Sequence, residues 1–216
     1  MHAYKLVIFD WDGTLMDSIG RIVSSMQSAA VACSLVVPSA LQVKEIIGLS
    51  LPVALSILFP NNTEQQNEAM LVQYKVHYVE IDKTPTPLFD NALTLLTSLK
   101  NNNVLLAVAT GKGRQGLERV FSMTQTKSFF QASRCADEAR SKPDPEMISS
   151  LLDELGIAAE NAVMIGDTSH DMQMAQSAGI DRIGITLGVH DQHKLAQYAP
   201  IAVVDSLAQL QSLLLA

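Results

Sequence analysis

Leu6–Phe9, Val104–Ala109, Ala162–Ile165, Arg182–Thr186 and Ile201–Val204 are short runs, largely apolar and rich in Val and Ile. None alternates cleanly between apolar and polar residues. A strand with one wet face alternates, whereas a strand covered on both faces reads as a continuous apolar run. The runs therefore point to a parallel sheet with helices on both sides. Helical spacing between them agrees. Ala92, Leu95, Leu96 and Leu99 share one helix face, and Met147, Ile148, Leu151, Leu152 and Leu155 share another. Asp144 is the predicted cap of that second helix, Pro145 suits its first turn and Gly156 its end. Strand and helix in alternation predict an α/β fold, a doubly wound, Rossmann-like parallel sheet.

One segment breaks the alternation. Between Phe9 and Val104 no good strand is found, and the residues read as helices. Ile19, Ile22, Val23, Met26, Ala29, Ala30 and Cys33 form a long apolar stripe, with Asp17 as its predicted cap. Ser50 and Pro52 open a second helix, and Thr63 with Gln66 makes a capping box for a third. "DKTPTP" (82–87) reads as a linker. The expected organisation is a core of 1–16 and 84–216 with an all-helical cap, 17–83, inserted after the first strand. Sites in open α/β sheets lie at the carboxyl ends of strands, so an insert leaving from such an end stands over the site.

The chain of 216 residues is 48% hydrophobic and 17% charged, the composition of an ordinary folded protein. Its net charge of −7 argues against nucleic acid or an anionic membrane as partner. Cys33 and Cys135 lie far apart without metal-ligand spacing and are expected to be reduced thiols. The N-terminus is too short and soon too acidic for a signal peptide, and no run has the length of a membrane span. A cytoplasmic protein, monomer or homodimer, is expected.

Polar clusters sit at the predicted strand ends. Asp10, Asp12, Gly13 and Thr14 follow the first strand, and "ATGK" (109–112) ends the second. "GDTSHD" (166–171) follows the run at Ala162, and "SKPDPE" (141–146) precedes a helix. Oxygen ligands without histidine or cysteine suit a hard cation, most simply Mg²⁺, which takes one or two carboxylates; Asp10 and Asp167 supply these. Thr110, the Gly111 N–H and Lys142 suit a phosphoryl group, and Gly13 and Gly111 let backbone approach it. Lys112 and Arg114 are candidates for an anionic leaving group. Two aspartates one residue apart, with pKa values pushed apart, fit two roles: an ionised nucleophile at Asp10 and an acid/base at Asp12.

With "DWDGT", "TGK", Lys142 in "SKPDP" and "GDTSHD" in order, the chain resembles the haloacid dehalogenase superfamily over its whole length, and phosphoglycolate-phosphatase-like members in particular. That resemblance implies a C1-type cap and a small phosphomonoester substrate, such as phosphoglycolate, a sugar phosphate or a nucleotide. It implies Asp10 as nucleophile, Asp12 as acid/base, and Thr110 and Lys142 holding the phosphoryl group. Mg²⁺ would be bound by Asp10, the Asp12 carbonyl and Asp167, with Asp171 at or supporting the metal. A phosphomutase like β-phosphoglucomutase shares these motifs. A phospho-receiver domain also gathers acids, a threonine and a lysine on a parallel sheet, but has no counterpart of "GDTSHD". "IIGLSL" (46–51) reads either as a loop dipping into the site or as a plain interhelical turn. His170 is expected to face solvent, and His2, His77, His190 and His193 to have ordinary surface or core roles.

Overall fold

A computed structural model describes residues 4–216. His2 lies outside them. Six strands form one parallel sheet in the order β3-β2-β1-β4-β5-β6. They are β1 (Leu6–Phe9), β2 (Leu105–Ala109), β3 (Ala132–Arg134), β4 (Ala162–Gly166), β5 (Asp181–Ile185) and β6 (Ala202–Val204). Central β1 pairs with β2 on one side, Leu6 opposite Leu105, and with β4 on the other, Leu6 opposite Ala162. All four β1 residues are buried, as an unbroken apolar run requires. The order reverses at β1, so the crevice beyond the carboxyl ends of β1, β2 and β4 is the topological switch point.

Alternate strand residues feed opposite layers. Val7, Phe9, Val108, Val163 and Ile165 join α5 (Ala92–Asn101), α6 (Arg114–Thr124) and α10 (Leu207–Leu214) in one cluster. Leu6, Ile8, Ala107, Ala162 and Met164 join α7 (Glu146–Leu155) and α8 (Ser169–Ser177) in the other. A short α9 (Gln192–Ala196) packs beside β5 and β6. The last helix, α10, rests on α5.

Between β1 and α5 lie α1 (Ile19–Ala32), α2 (Ala40–Glu45), α3 (Leu51–Leu58), α4 (Glu64–Val76) and a π-helical turn, His77–Ile81. Their core includes Ile22, Met26, Val43, Leu55 and Met70, and it contains no strand residue. The inserted helices thus bury their apolar faces on one another. Thr63 and Gln66 form the expected capping box, and Ser39 with Gln42 forms one at α2.

Some local expectations are corrected. β3 has only three residues, too few for a recognisable apolar run. Asp17 is exposed and does not cap α1; Ser18 holds the cap position, and its hydroxyl donates to Asp12 rather than to the helix. Pro145 occupies the position before α7 that Asp144 was expected to fill, and Asp144 Oδ1 accepts from the Glu146 N–H at 3.0 Å. Both cysteines are free thiols. Among the described residues no helix is long and apolar enough to cross a membrane.

Candidate active site

The chain leaves β1 through Asp10 and turns at once. The Thr14, Leu15 and Met16 N–H groups donate back to the Trp11 carbonyl, the Gly13 N–H donates forward to the Met16 carbonyl, and Gly13 takes a left-handed φ of 81°. The turn directs Trp11 into the core, edge-on to Phe121 at 5.2 Å, and leaves Asp10 and Asp12 facing the crevice. From β4, Asp167 enters the same space. Its Oδ1 accepts from the Thr14 hydroxyl at 3.0 Å and its Oδ2 from the Val189 N–H at 2.8 Å. α8 begins with a capping box between Thr168 and Asp171, which turns Asp171 inward.

Asp10, Asp167 and Asp171 each offer a carboxylate oxygen within 4.8 Å of the others, and all are buried. A single lysine serves the group: Lys142 Nζ lies 2.8 Å from Asp10 Oδ1 and 2.7 Å from Asp171 Oδ1. Three clustered carboxyls, only two of them touching an ammonium, cannot all ionise cheaply away from water. Burial, with Asp171 adding to it and Lys142 opposing it, pushes Asp10 up to about 7. Asp167 is driven well above the usual carboxylate range by burial and by both neighbouring aspartates. Burial alone would lower Lys142, but Asp10 and Asp171 outweigh it and hold the ammonium charged.

Asp10 Oδ2 is buried and accepts no hydrogen bond. An orphaned carboxylate oxygen beside two further carboxylates is a donor set for a hard divalent cation, which would take the place of the protons. Asp10 and Asp167 have capacity for such an ion. Asp171 is engaged by Lys142 and, through Oδ2, by the N–H and hydroxyl of Thr168.

Asp12 is held differently. Both of its oxygens lie 2.8 Å from Lys112 Nζ, and Ser18 donates to Oδ1. Burial would lower Lys112, yet the Asp12 carboxylate and the Tyr78 hydroxyl oxygen keep it above its ordinary value. Thr110 is buried at the end of β2, its Oγ1 accepting from the Lys112 N–H at 3.2 Å. Arg114 turns away to Glu138, at 2.6 Å, and to Ser133.

The inserted helices meet this crevice through residues 46–51. Gly111 lies against the Gly48 and Leu49 carbonyls, and the Ser50 N–H donates to Ser141 Oγ at 2.9 Å. The segment therefore dips to the site. His170 also faces the insert rather than solvent: its Nε2 is 3.2 Å from the Glu45 carbonyl. Nothing near His190 in sequence flags it, because its partners come from another loop. Buried His190 accepts the Ser169 N–H at Nδ1, 2.9 Å, and its backbone N–H donates to the Asp167 carbonyl. Ser18 and Tyr78 were likewise invisible, since neither belongs to a motif.

A family model of haloacid dehalogenase-like hydrolases matches residues 7–185. The Probable phosphatase IndB of Dickeya dadantii is 32% identical over 95% of this chain and 91% of its own. Phosphoglycolate phosphatase of Vibrio cholerae is 28% identical over 100% of this chain and 99% of its own. The crystal structure of a hydrolase from Pseudomonas syringae superposes with a TM-score of 0.88 at 23% identity, covering 97% of both chains, and shares the fold. With the matched model spanning all four motifs, the chain belongs to the haloacid dehalogenase-like hydrolases.

Proposed function

We propose that this hydrolase is a Mg²⁺-dependent, cytoplasmic phosphatase of small phosphomonoesters, working through an aspartyl-phosphate at Asp10. The orphaned Asp10 Oδ2, buried beside Asp167 at the mouth of a large cavity, is the observation that carries the reading. The names of IndB and of the Vibrio phosphoglycolate phosphatase support it.

In this reading Asp10 and Asp167 hold the metal with the Asp12 carbonyl, and Asp171 positions Lys142. Mg²⁺, when bound, neutralises charge on the carboxylates and on the phosphoryl oxygens. One oxygen of the Asp10 carboxylate bonds to phosphorus as the bond from phosphorus to the leaving oxygen breaks, the other would stay with the metal, and Asp12 gives the leaving oxygen a proton. Lys142, Thr110 and the Gly111 N–H bind the phosphoryl oxygens, and Lys112 turns from Asp12 to join them. Water then attacks phosphorus, Asp12 takes its proton, and the bond to Asp10 breaks to release inorganic phosphate. Helices 17–83 act as a cap over the core of 1–16 and 84–216, excluding bulk water.

Purified protein should release phosphate continuously from p-nitrophenyl phosphate with Mg²⁺, and Asp10→Asn should abolish release. In Asp12→Asn, rapid quenching and mass spectrometry should find phosphate on Asp10. Label on another side chain, or full activity in Asp10→Asn, would overturn the assignment. Isomer rather than free phosphate from a hexose 1-phosphate would mark a mutase instead.

A further inference from the structure

The space in front of Asp10 and Asp12 is a cavity of about 740 Å³ between the sheet edge and the inserted helices. A two-carbon leaving group would fill little of it. Its far wall is made by Ile22, Met26, Ala54, Leu71, Tyr74 and Tyr78, all from the inserted helices. Tyr74 and Tyr78 lie ring to ring at 5.7 Å, making a broad π surface.

Positive charge is scarce on these walls. Lys112 pairs with Asp12 and, in the proposed reaction, serves the phosphoryl group rather than the leaving group, and Lys75 is exposed. Half-buried Arg119 remains, with its guanidinium 5.3 Å from the centre of the Tyr78 ring. A leaving group with its own carboxylate would lose water against apolar side chains and gain at most one guanidinium. An apolar body would meet the aliphatic side chains and the tyrosine pair, with Arg119 already seated on the Tyr78 ring.

We infer that the preferred substrates are phosphomonoesters with a largely apolar leaving group, an aryl or medium-length alkyl alcohol, seated against Tyr74, Tyr78 and Leu71. This rests on the phosphatase reading for the bond that is broken, but the cavity's preference has its own test.

Steady-state kinetics with Mg²⁺ should give kcat/KM at least about tenfold higher for hexyl and naphthyl phosphates than for 2-phosphoglycolate, since a single methylene in an apolar pocket is worth roughly that much. Calorimetry should show hexylphosphonate, which cannot be hydrolysed, binding at least about tenfold tighter than phosphonoacetate. In Leu71→Glu and, separately, Tyr74→Ala, the ratio of kcat/KM for hexyl phosphate over phosphoglycolate should fall about tenfold. Phosphoglycolate turned over better than the hexyl and naphthyl esters, or phosphonoacetate bound more tightly, would overturn the inference and leave hydrolysis intact. Hexylphosphonate bound preferentially, with no ester of either class turned over, would overturn the phosphatase reading and uphold the apolar site.

Discussion

Gly111→Ala tests the contact between the two parts of the molecule. A β-carbon built on Gly111 would lie 2.5 Å from the Gly48 carbonyl oxygen and 2.6 Å from that of Leu49. Both are backbone atoms, so no rotamer change relieves the overlap. Ordinary contact begins at 3.4 Å, so the 46–51 segment has to retreat by about 0.9 Å, the difference between 3.4 and 2.5. The inserted helices have their own core, which allows them to retreat as a body. A displacement near 1 Å at groups that orient a substrate costs on the order of 10²-fold, or about 2.7 kcal/mol of transition-state stabilisation. Gly111→Ala should therefore lower kcat/KM about 100-fold. Its urea midpoint should correspond to a stability within about 1 kcal/mol of wild type, because no left-handed backbone is strained and little core is disturbed. Activity within threefold of wild type would refute the reasoning. So would a stability loss large enough to account for the missing activity.

Three further outcomes follow from the charges. Asp10, at about 7 rather than its ordinary 3.8, makes the metal-free folded protein bind more protons than the unfolded chain between those values, so stability falls as pH rises through that window. The fall due to Asp10 is at most about 4 kcal/mol over the whole window and about 2.7 kcal/mol from pH 5 upward; urea unfolding at pH 5 and pH 8 should show the latter, with Mg²⁺ restoring stability at pH 8 and Asp10→Asn making the profile shallower. Lys142→Met strands Asp10 and Asp171 without their ammonium and should cost about 3–5 kcal/mol at pH 8, less at pH 5 where the carboxyls take protons, read from the same curves. Asp82 is nudged up by burial but drawn down to about 2 by Ser24 and Thr84, so it stabilises the folded chain above pH 4 and ceases to as pH falls toward 2; Asp82→Asn should cost about 1 kcal/mol at pH 7, after screening by solvent, and nothing near pH 2.

How far the molecule was legible depends on the range of each interaction. β1 and β4 declare themselves because burial on both faces forces an unbroken apolar run. The capping box at Thr63 and Gln66 is a local device, and it forms as read. β3 escapes because Ala132–Arg134 are held mainly by pairing with β2, a long-range contact with no local period. Asp17 fails as a cap because it lies one residue before the cap position, its N–H donating to the Pro87 carbonyl, while Ser18 in that position gives its hydroxyl to Asp12. Asp10, Asp12, Thr110, Lys142, Asp167 and Asp171 converge because each follows or abuts a strand end in one sheet. His190 and Tyr78 enter from loops and helices whose positions only the packed fold decides. Lys112, read from its place after Thr110 as a candidate for an anionic leaving group, pairs with Asp12 in the structure.

The glycines around the acidic cluster show what the packing is for. A β-carbon at Gly188 would lie 2.0 Å from Asp167 Oδ2, and one at Gly166 would lie 2.3 Å from the Asp171 β-carbon. Carboxylates are thus pressed into spaces that only a missing side chain provides. Nothing in the energetics of folding rewards that arrangement. Burial beside one another raises Asp10 and Asp167 although Lys142 pairs with Asp10 and Asp171, and a buried ion pair gains little over apolar side chains of the same volume. A chain selected for stability alone would fill this crevice with aliphatic residues, as it does one turn away on both sheet faces. On the proposed metal-binding reading the compression is intelligible: with a cation bound, the same crowding that raises the carboxyls would become a set of converging oxygens, and the cost of the metal-free cluster would become affinity for the ion.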